Sequence, residues 1–172
     1  MILTSIKLLK LYRKMSVVKF EDKQWSWVED NLFDFIYIHR NYPFAFADFF
    51  KLKEVAIEIK KISDYLVERT KKVNVFPEID LTFKSLRMLS EPKVVILGLD
   101  PYPNMGSAVG LAFSLPVNST LINVSMVNIQ KEVEKCGFNV NKKSGNLINW
   151  MLQGVILLNT ALTVEEGESE SH

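Results

Sequence analysis

Residues 94–98 read Val-Val-Ile-Leu-Gly and run straight into Leu-Asp-Pro-Tyr-Pro. A short apolar run that ends on glycine and meets turn residues suits a strand buried on both faces. The loop after such a strand lies at the carboxyl end of its sheet, where open α/β sheets hold their ligands. Pro101 and Pro103 fix φ on either side of Tyr102, so Asp100 and Tyr102 stand on stiff backbone.

All seven glycines lie at or beyond position 98, so the two halves are built differently. The first half is helical in pattern. Asp48 is placed to cap a helix with Leu52, Val55, Ile59, Ile62 and Leu66 inward. Asp80 is placed to cap a second helix with Phe83 and Leu86 inward, ending before Pro92. The second half alternates: strand 94–98, an extended piece near 112–115, a helix near 125–136, a short helix near 146–152 and a strand 155–159. Gly154 is placed to end the short helix at C′. This alternation predicts an α/β fold, a three-layer α/β/α arrangement around a central parallel sheet. The division expected is a helical region over 1–72 and an α/β core over 73–172, within a single domain. Trp25 and Trp27 lie outside every motif and are read as packing residues. The Glu/Ser tail over 165–171 reads as low in complexity.

Composition narrows the function classes. A chain of 172 residues that is 48% hydrophobic can bury a real core. Its net charge of +1 does not announce nucleic-acid binding, so any DNA contact falls to backbone amides, helix N-termini and a few basic side chains. The single Cys136 cannot form an internal disulfide, and no His/Cys cluster offers a metal site. No run approaches the ~18 apolar residues of a membrane span, so no membrane partner is expected. The glycines at 98, 106 and 110 fit neither a dinucleotide fingerprint nor a Walker phosphate loop. The first acidic residue is Glu21. The basic stretch before it reads either as an untidy N-terminus with translation starting at Met15 or as a transit peptide.

Three blocks in order carry a resemblance. Gly-Leu-Asp-Pro-Tyr-Pro over 98–103, with Gly-Leu-Ala-Phe-Ser over 110–114, resembles the water-activating loop and base-stacking segment of the uracil-DNA glycosylases. Ser125-Met-Val-Asn-Ile-Gln-Lys-Glu-Val133 is similar to the family's Pro-Ser-Leu-x-Asn-Ile-x-Lys-Glu-Leu helix start. Gln153-Gly-Val-Ile-Leu-Leu-Asn159, with Leu162-Thr-Val164 after it, is similar to the family's Gln-Gly-Val-Leu-Leu-Leu-Asn strand and Leu-Thr-Val. The resemblance covers roughly residues 73–172.

It implies hydrolysis of the N-glycosidic bond of a uracil flipped out of DNA, the first step of base-excision repair. Asp100 would position water and stabilise positive charge building on the sugar. Leu99 would serve through backbone N–H groups, and Phe113 would stack the base. The Asn159 carboxamide would accept from uracil N3–H and donate to O4, a pairing that cytosine cannot match. Tyr102 would exclude the methyl group of thymine. Pro101, Pro103 and Ser125 would face DNA, Ser125 from a helix start that suits a phosphate or a plain cap. No cofactor is implied, because an activated water and a leaving base need none. The partner is uracil-containing DNA, single- or double-stranded, and the location nuclear or cytoplasmic, or mitochondrial if the basic stretch is a transit peptide.

The chain departs from the family at Leu99 and Pro103, where the family has Gln and His. The Asp-Pro-Tyr-Pro form is similar to poxviral members, which adds a replication processivity partner to the expectation. The family continues past this point with another sheet strand and a His-Pro-Ser-Pro-Leu loop, whose histidine stabilises the departing uracil. Neither follows in these residues: His39 lies in no motif, and His172 falls where the family has a Ser-His pair. Loss of one such donor costs about 10²–10³ in rate. The chain therefore reads as a fragment, a truncated product, or a member that has lost catalysis. The alternative function is a non-catalytic DNA-binding or processivity module on the same fold.

Overall fold

The computed structural model describes residues 25–87 and 92–172. Among these the strands are β1 (Val75–Phe76), β2 (Val94–Gly98), β3 (Val155–Asn159) and β4 (Val164–Glu165). The α-helices are α1 (Ala47–Phe50), α2 (Lys53–Thr70), α3 (Lys84–Arg87), α4 (Val124–Lys135) and α5 (Ile148–Met151). β2 and β3 pair in parallel from Val94↔Val155 to Gly98↔Asn159. β1 and β4 pair antiparallel, Val75 opposite Glu165. The α/β class and both motif strands match the reading of the sequence.

β3 is covered on both faces. Leu157 joins Met126 of α4 and Met151 of α5 in one apolar cluster, and α3 packs on β3 as well. β2 departs from the expectation of burial on both faces: Val94, Val95 and Leu97 are half exposed. The reason is topological, since among the described residues β2 pairs with β3 alone. Residues 112–115 also depart, forming a turn and coil rather than a strand. Only Ala112 N–H reaches the sheet, donating to Leu157 O at 3.0 Å.

The second cluster gathers the first half of the chain around Phe35, Phe50, Leu66 and Ile79. Trp25 and Trp27 pack in it as expected, with Trp27 Nε1 donating to Pro77 O at 2.9 Å. The helix starts differ from expectation. Asp48 lies in α1, where among the described residues its carboxylate meets only Lys51, at 3.3 Å, and α2 begins at Lys53 after an extended Leu52. Burial of Phe50, edge-on to Phe83 at 5.4 Å, ends the first turn and outweighs the capping pattern. The buried face of α2 is then Ile59, Ser63 and Leu66, with Val55 packed at its border, while Leu52 and Ile62 stay exposed. Ser63 is inside because its hydroxyl accepts from Phe33 N–H at 3.0 Å, which draws the helix against that segment.

Asp80 sits within a 3₁₀ turn (Ile79–Leu81) rather than at a helix N-cap, and no hydrogen bond to its carboxylate is seen among the described residues, although Phe83 is buried as expected. The expected end of that helix before Pro92 lies outside the described residues. α4 begins at Val124, one residue before the expected start. Gly154 adopts φ 100°, with its N–H on Met151 O at 3.0 Å, and ends the turn after α5 as expected.

Candidate active site

The parallel register puts Gly98 beside Asn159 at the carboxyl ends of β2 and β3. Pairing continues beyond the strands. Thr160 N–H donates to Gly98 O at 3.0 Å, Ala161 N–H to Leu99 O at 2.9 Å, and Thr160 Oγ1 to the same Leu99 oxygen at 2.7 Å. These bonds tie the Asp-Pro-Tyr-Pro loop to the turn that follows Asn159. Between them opens a cavity of about 240 Å³. Asp100, Tyr102, Phe113, Ser125 and Asn159 all line it, as do Leu99, Pro101 and Pro103. Residues up to 60 positions apart in the sequence thus meet where an open α/β sheet holds its ligand.

Gly98 is required here by close approach. A Cβ on it would collide with Asn159 Oδ1 and lie 3.4 Å from Phe113 Cε2. Among the described residues no hydrogen bond engages the Asn159 carboxamide, which leaves its acceptor and donor to the cavity. Phe113 occupies a turn at φ 63°, a region that bulky residues rarely adopt. Such an outlier persists where the surroundings over-determine it, and it is a mark of functional sites.

Tyr102 fixes the floor. Its hydroxyl donates to Phe113 O at 3.0 Å and lies 3.1 Å from Ser125 Oγ. A phenol carries one proton, so Ser125 is the donor in the second contact. Ser125 stands in the first turn of α4, behind Asn123 as N-cap, so the plain-cap role does not hold. Its hydroxyl serves Tyr102, and the free amides of that first turn remain for an anion.

Asp100 also departs from a local turn role. Its Oδ2 accepts from Ser169 Oγ and from Glu170 N–H, both at 2.7 Å. Sequence reasoning passed over these two residues because the tail reads as low in complexity. The one signal was the Ser-His pair, here Ser171-His172. That pair anchors the loop: Ser171 Oγ accepts from Glu165 N–H at 2.8 Å, and the His172 ring meets Thr163 Oγ1 at 2.8 Å. Glu165 is gripped by Arg69 of α2 through two bonds of 2.5 and 2.7 Å. Those bonds hold the Glu165 carboxyl below the ordinary glutamate range and raise the Arg69 guanidinium.

No family model matches the chain. Curated relatives do. The uracil-DNA glycosylase of Aliarcobacter butzleri (strain RM4018) is 45% identical over 119 residues, which are 65% of this chain and 53% of that protein. That of Borrelia turicatae (strain 91E135) is 47% identical over 107 residues, 60% of this chain and 47% of the relative. That of Mesomycoplasma hyopneumoniae (strain 7448) is 35% identical over 130 residues, 74% of this chain and 58% of the relative. The chain thus spans about half the length of the curated relatives it matches. Among solved structures, mimivirus uracil-DNA glycosylase superposes with a TM-score of 0.73 at 28% identity, over 92% of this chain and 61% of the other. Over the region they share, the chain is thus similar in sequence to the uracil-DNA glycosylases and has the fold of the mimivirus member.

Proposed function

We propose that the protein excises uracil from DNA by hydrolysis of the N-glycosidic bond. The observation that carries this reading is the meeting of the Asn159 carboxamide, the Phe113 ring and the Asp100 carboxylate in one cavity. A flipped uracil stacks on Phe113, while Asn159 accepts from N3–H and donates to O4. In that orientation of the carboxamide, cytosine presents the reverse donor and acceptor pattern and leaves both groups unpaired, which is the costly outcome. Asp100 holds a water at the sugar face opposite the base. As the bond from C1′ to N1 breaks, its electron pair leaves with uracil, and the carboxylate offsets the positive charge on the sugar. Water oxygen bonds to C1′ and gives up a proton to Asp100, the uracil anion takes up a proton from solvent, and the products are free uracil and an abasic site. The open amides at the start of α4 suit a backbone phosphate. A replication processivity partner belongs to the same proposal and is tested separately, by co-sedimentation of purified components.

The test is release of free uracil from a single-stranded uracil-containing oligonucleotide by the full protein. Asp100→Asn and Asn159→Ala are each expected to lower the rate about 100-fold or more, in the range of a lost preorganised group. Uracil-dependent DNA binding without release would instead support the non-catalytic module. Neither binding nor release would end both readings.

A further inference from the structure

The two donors on Asp100 come from a loop that sequence reading treats as filler. We propose that Ser169 is a positioning residue: its hydroxyl, together with the Glu170 amide, sets the rotation of the Asp100 carboxylate so that Oδ1 addresses the reacting water. The inference rests on the proposed function and adds a residue to it. Both donors converge on Oδ2 at 2.7 Å, which fixes one oxygen and defines the plane of the group. Among the described residues no hydrogen bond engages Oδ1, while the carboxylate itself lines the cavity. One oxygen is therefore held by the protein and the other is left for substrate-side chemistry.

The loop is built for this aim. Glu170 adopts φ 62°, an unfavourable backbone for a residue with a Cβ, and that conformation is the one that presents its N–H to Asp100. Gly167 N–H donates to Pro103 O at 2.9 Å, so the same loop grips the far side of the Asp-Pro-Tyr-Pro turn. Glu166 N–H donates to Asn74 O at 2.9 Å, which ties the loop to the end of β1. Beyond Glu170, Ser171 and the buried His172 ring fasten it to Glu165 and Thr163. A loop tethered on both flanks delivers its donors at fixed positions, which is what orientation of a catalytic carboxylate requires. Ser169 itself is exposed, so it has no packing duty to account for its place.

The experiment measures kcat and KM for uracil release by the full protein carrying Ser169→Ala, Ser169→Thr, Asp100→Asn and the Asp100→Asn/Ser169→Ala pair. Ser169→Ala is expected to lower kcat about 10- to 100-fold, the scale of a misplaced reacting group. KM and Tm should hold, because neither the base contacts nor the core is touched. Ser169→Thr keeps the hydroxyl, has room for its methyl group at an exposed position, and should restore kcat. In the Asp100→Asn background, Ser169→Ala should cost nothing further. Wild-type kcat in Ser169→Ala beside an inactive Asp100→Asn would overturn the positioning role and leave the proposed function standing. Equal losses in the Ala and Thr variants would overturn it too, since the hydroxyl would then be irrelevant. No release by the wild-type protein would overturn the function, and this inference with it.

Discussion

At Gly98 the space a side chain would need is already taken by the candidate base-reading carboxamide of Asn159. A Cβ there would strike Asn159 Oδ1 and crowd Ala112 Cβ at 3.2 Å, while meeting Phe113 Cε2 in ordinary contact at 3.4 Å. Gly98→Ala should therefore displace the carboxamide and lower uracil release about tenfold or more, equivalent to ~1.4 kcal/mol of lost transition-state stabilisation. Single-turnover release with a parallel circular-dichroism spectrum checks this, and unimpaired release would show that the carboxamide needs no such room. Tyr102 carries a different prediction. Thymine and uracil share one hydrogen-bonding edge and differ by a methyl group, so bulk alone can separate them. Tyr102→Ala should raise the ratio of thymine to uracil release, and an unchanged ratio would remove Tyr102 from discrimination. Asp100, Tyr102 and Asn159 were legible because a carboxylate, a proline-flanked tyrosine and a carboxamide stand where apolar runs end. Ser169 was not, because hydroxyl and carboxylate residues in a Ser/Glu tract look alike until a fold selects one. Phe113 was legible as an aromatic in a motif, but nothing in its type announces a positive φ.

At the scale of elements, β2 and β3 were readable because each is a brief apolar run stopped by a residue that cannot continue it. The start of α2 was not, since Asp48 satisfies a local capping rule that burial of Phe50 overrides. The segment over 112–115 misled for a related reason: one sheet hydrogen bond at Ala112 places it beside β3 without making it a strand. The exposed side of β2 yields a prediction of its own. Among the described residues β2 has one unpaired edge, flanked by half-exposed Val95 and Leu97, and such edges recruit other strands. The 172-residue polypeptide should self-associate as its concentration rises, and Leu97→Lys should reduce this by placing a charge at that edge. Sedimentation velocity decides, and identical profiles for the two proteins would show that β2 is not the contact.

Across the whole molecule, Arg69 of α2 and Glu165 of β4 join the first-cluster helix to the loop that holds Asp100. Glu165 titrates below its ordinary range, first because Arg69 hydrogen-bonds its charged form. The folded value lies under the unfolded one, near 4.3 for glutamate. The stability it contributes is thus complete above that range and lost as pH falls through the lowered folded value. Tm measured against pH should fall on acidification through this window. Glu165→Gln should lower Tm at neutral pH and flatten the acid limb, so that the two curves converge when the carboxyl is protonated. Parallel curves would mean that the ion pair contributes nothing to the pH dependence.

The distance along the chain between Asp100 and its two donors, 69 and 70 residues, also sets an order of events during synthesis. At about 5–20 residues per second, the carboxylate leaves the ribosome ~4–14 s before Ser169 and Glu170 do. Through that interval β2 waits for β3 and the Asp-Pro-Tyr-Pro turn has no loop to embrace it. The nascent chain therefore passes through a stage with its first motif exposed and its carboxylate unaimed, and Asp100 gains its two donors only after residues 169 and 170 have followed it out.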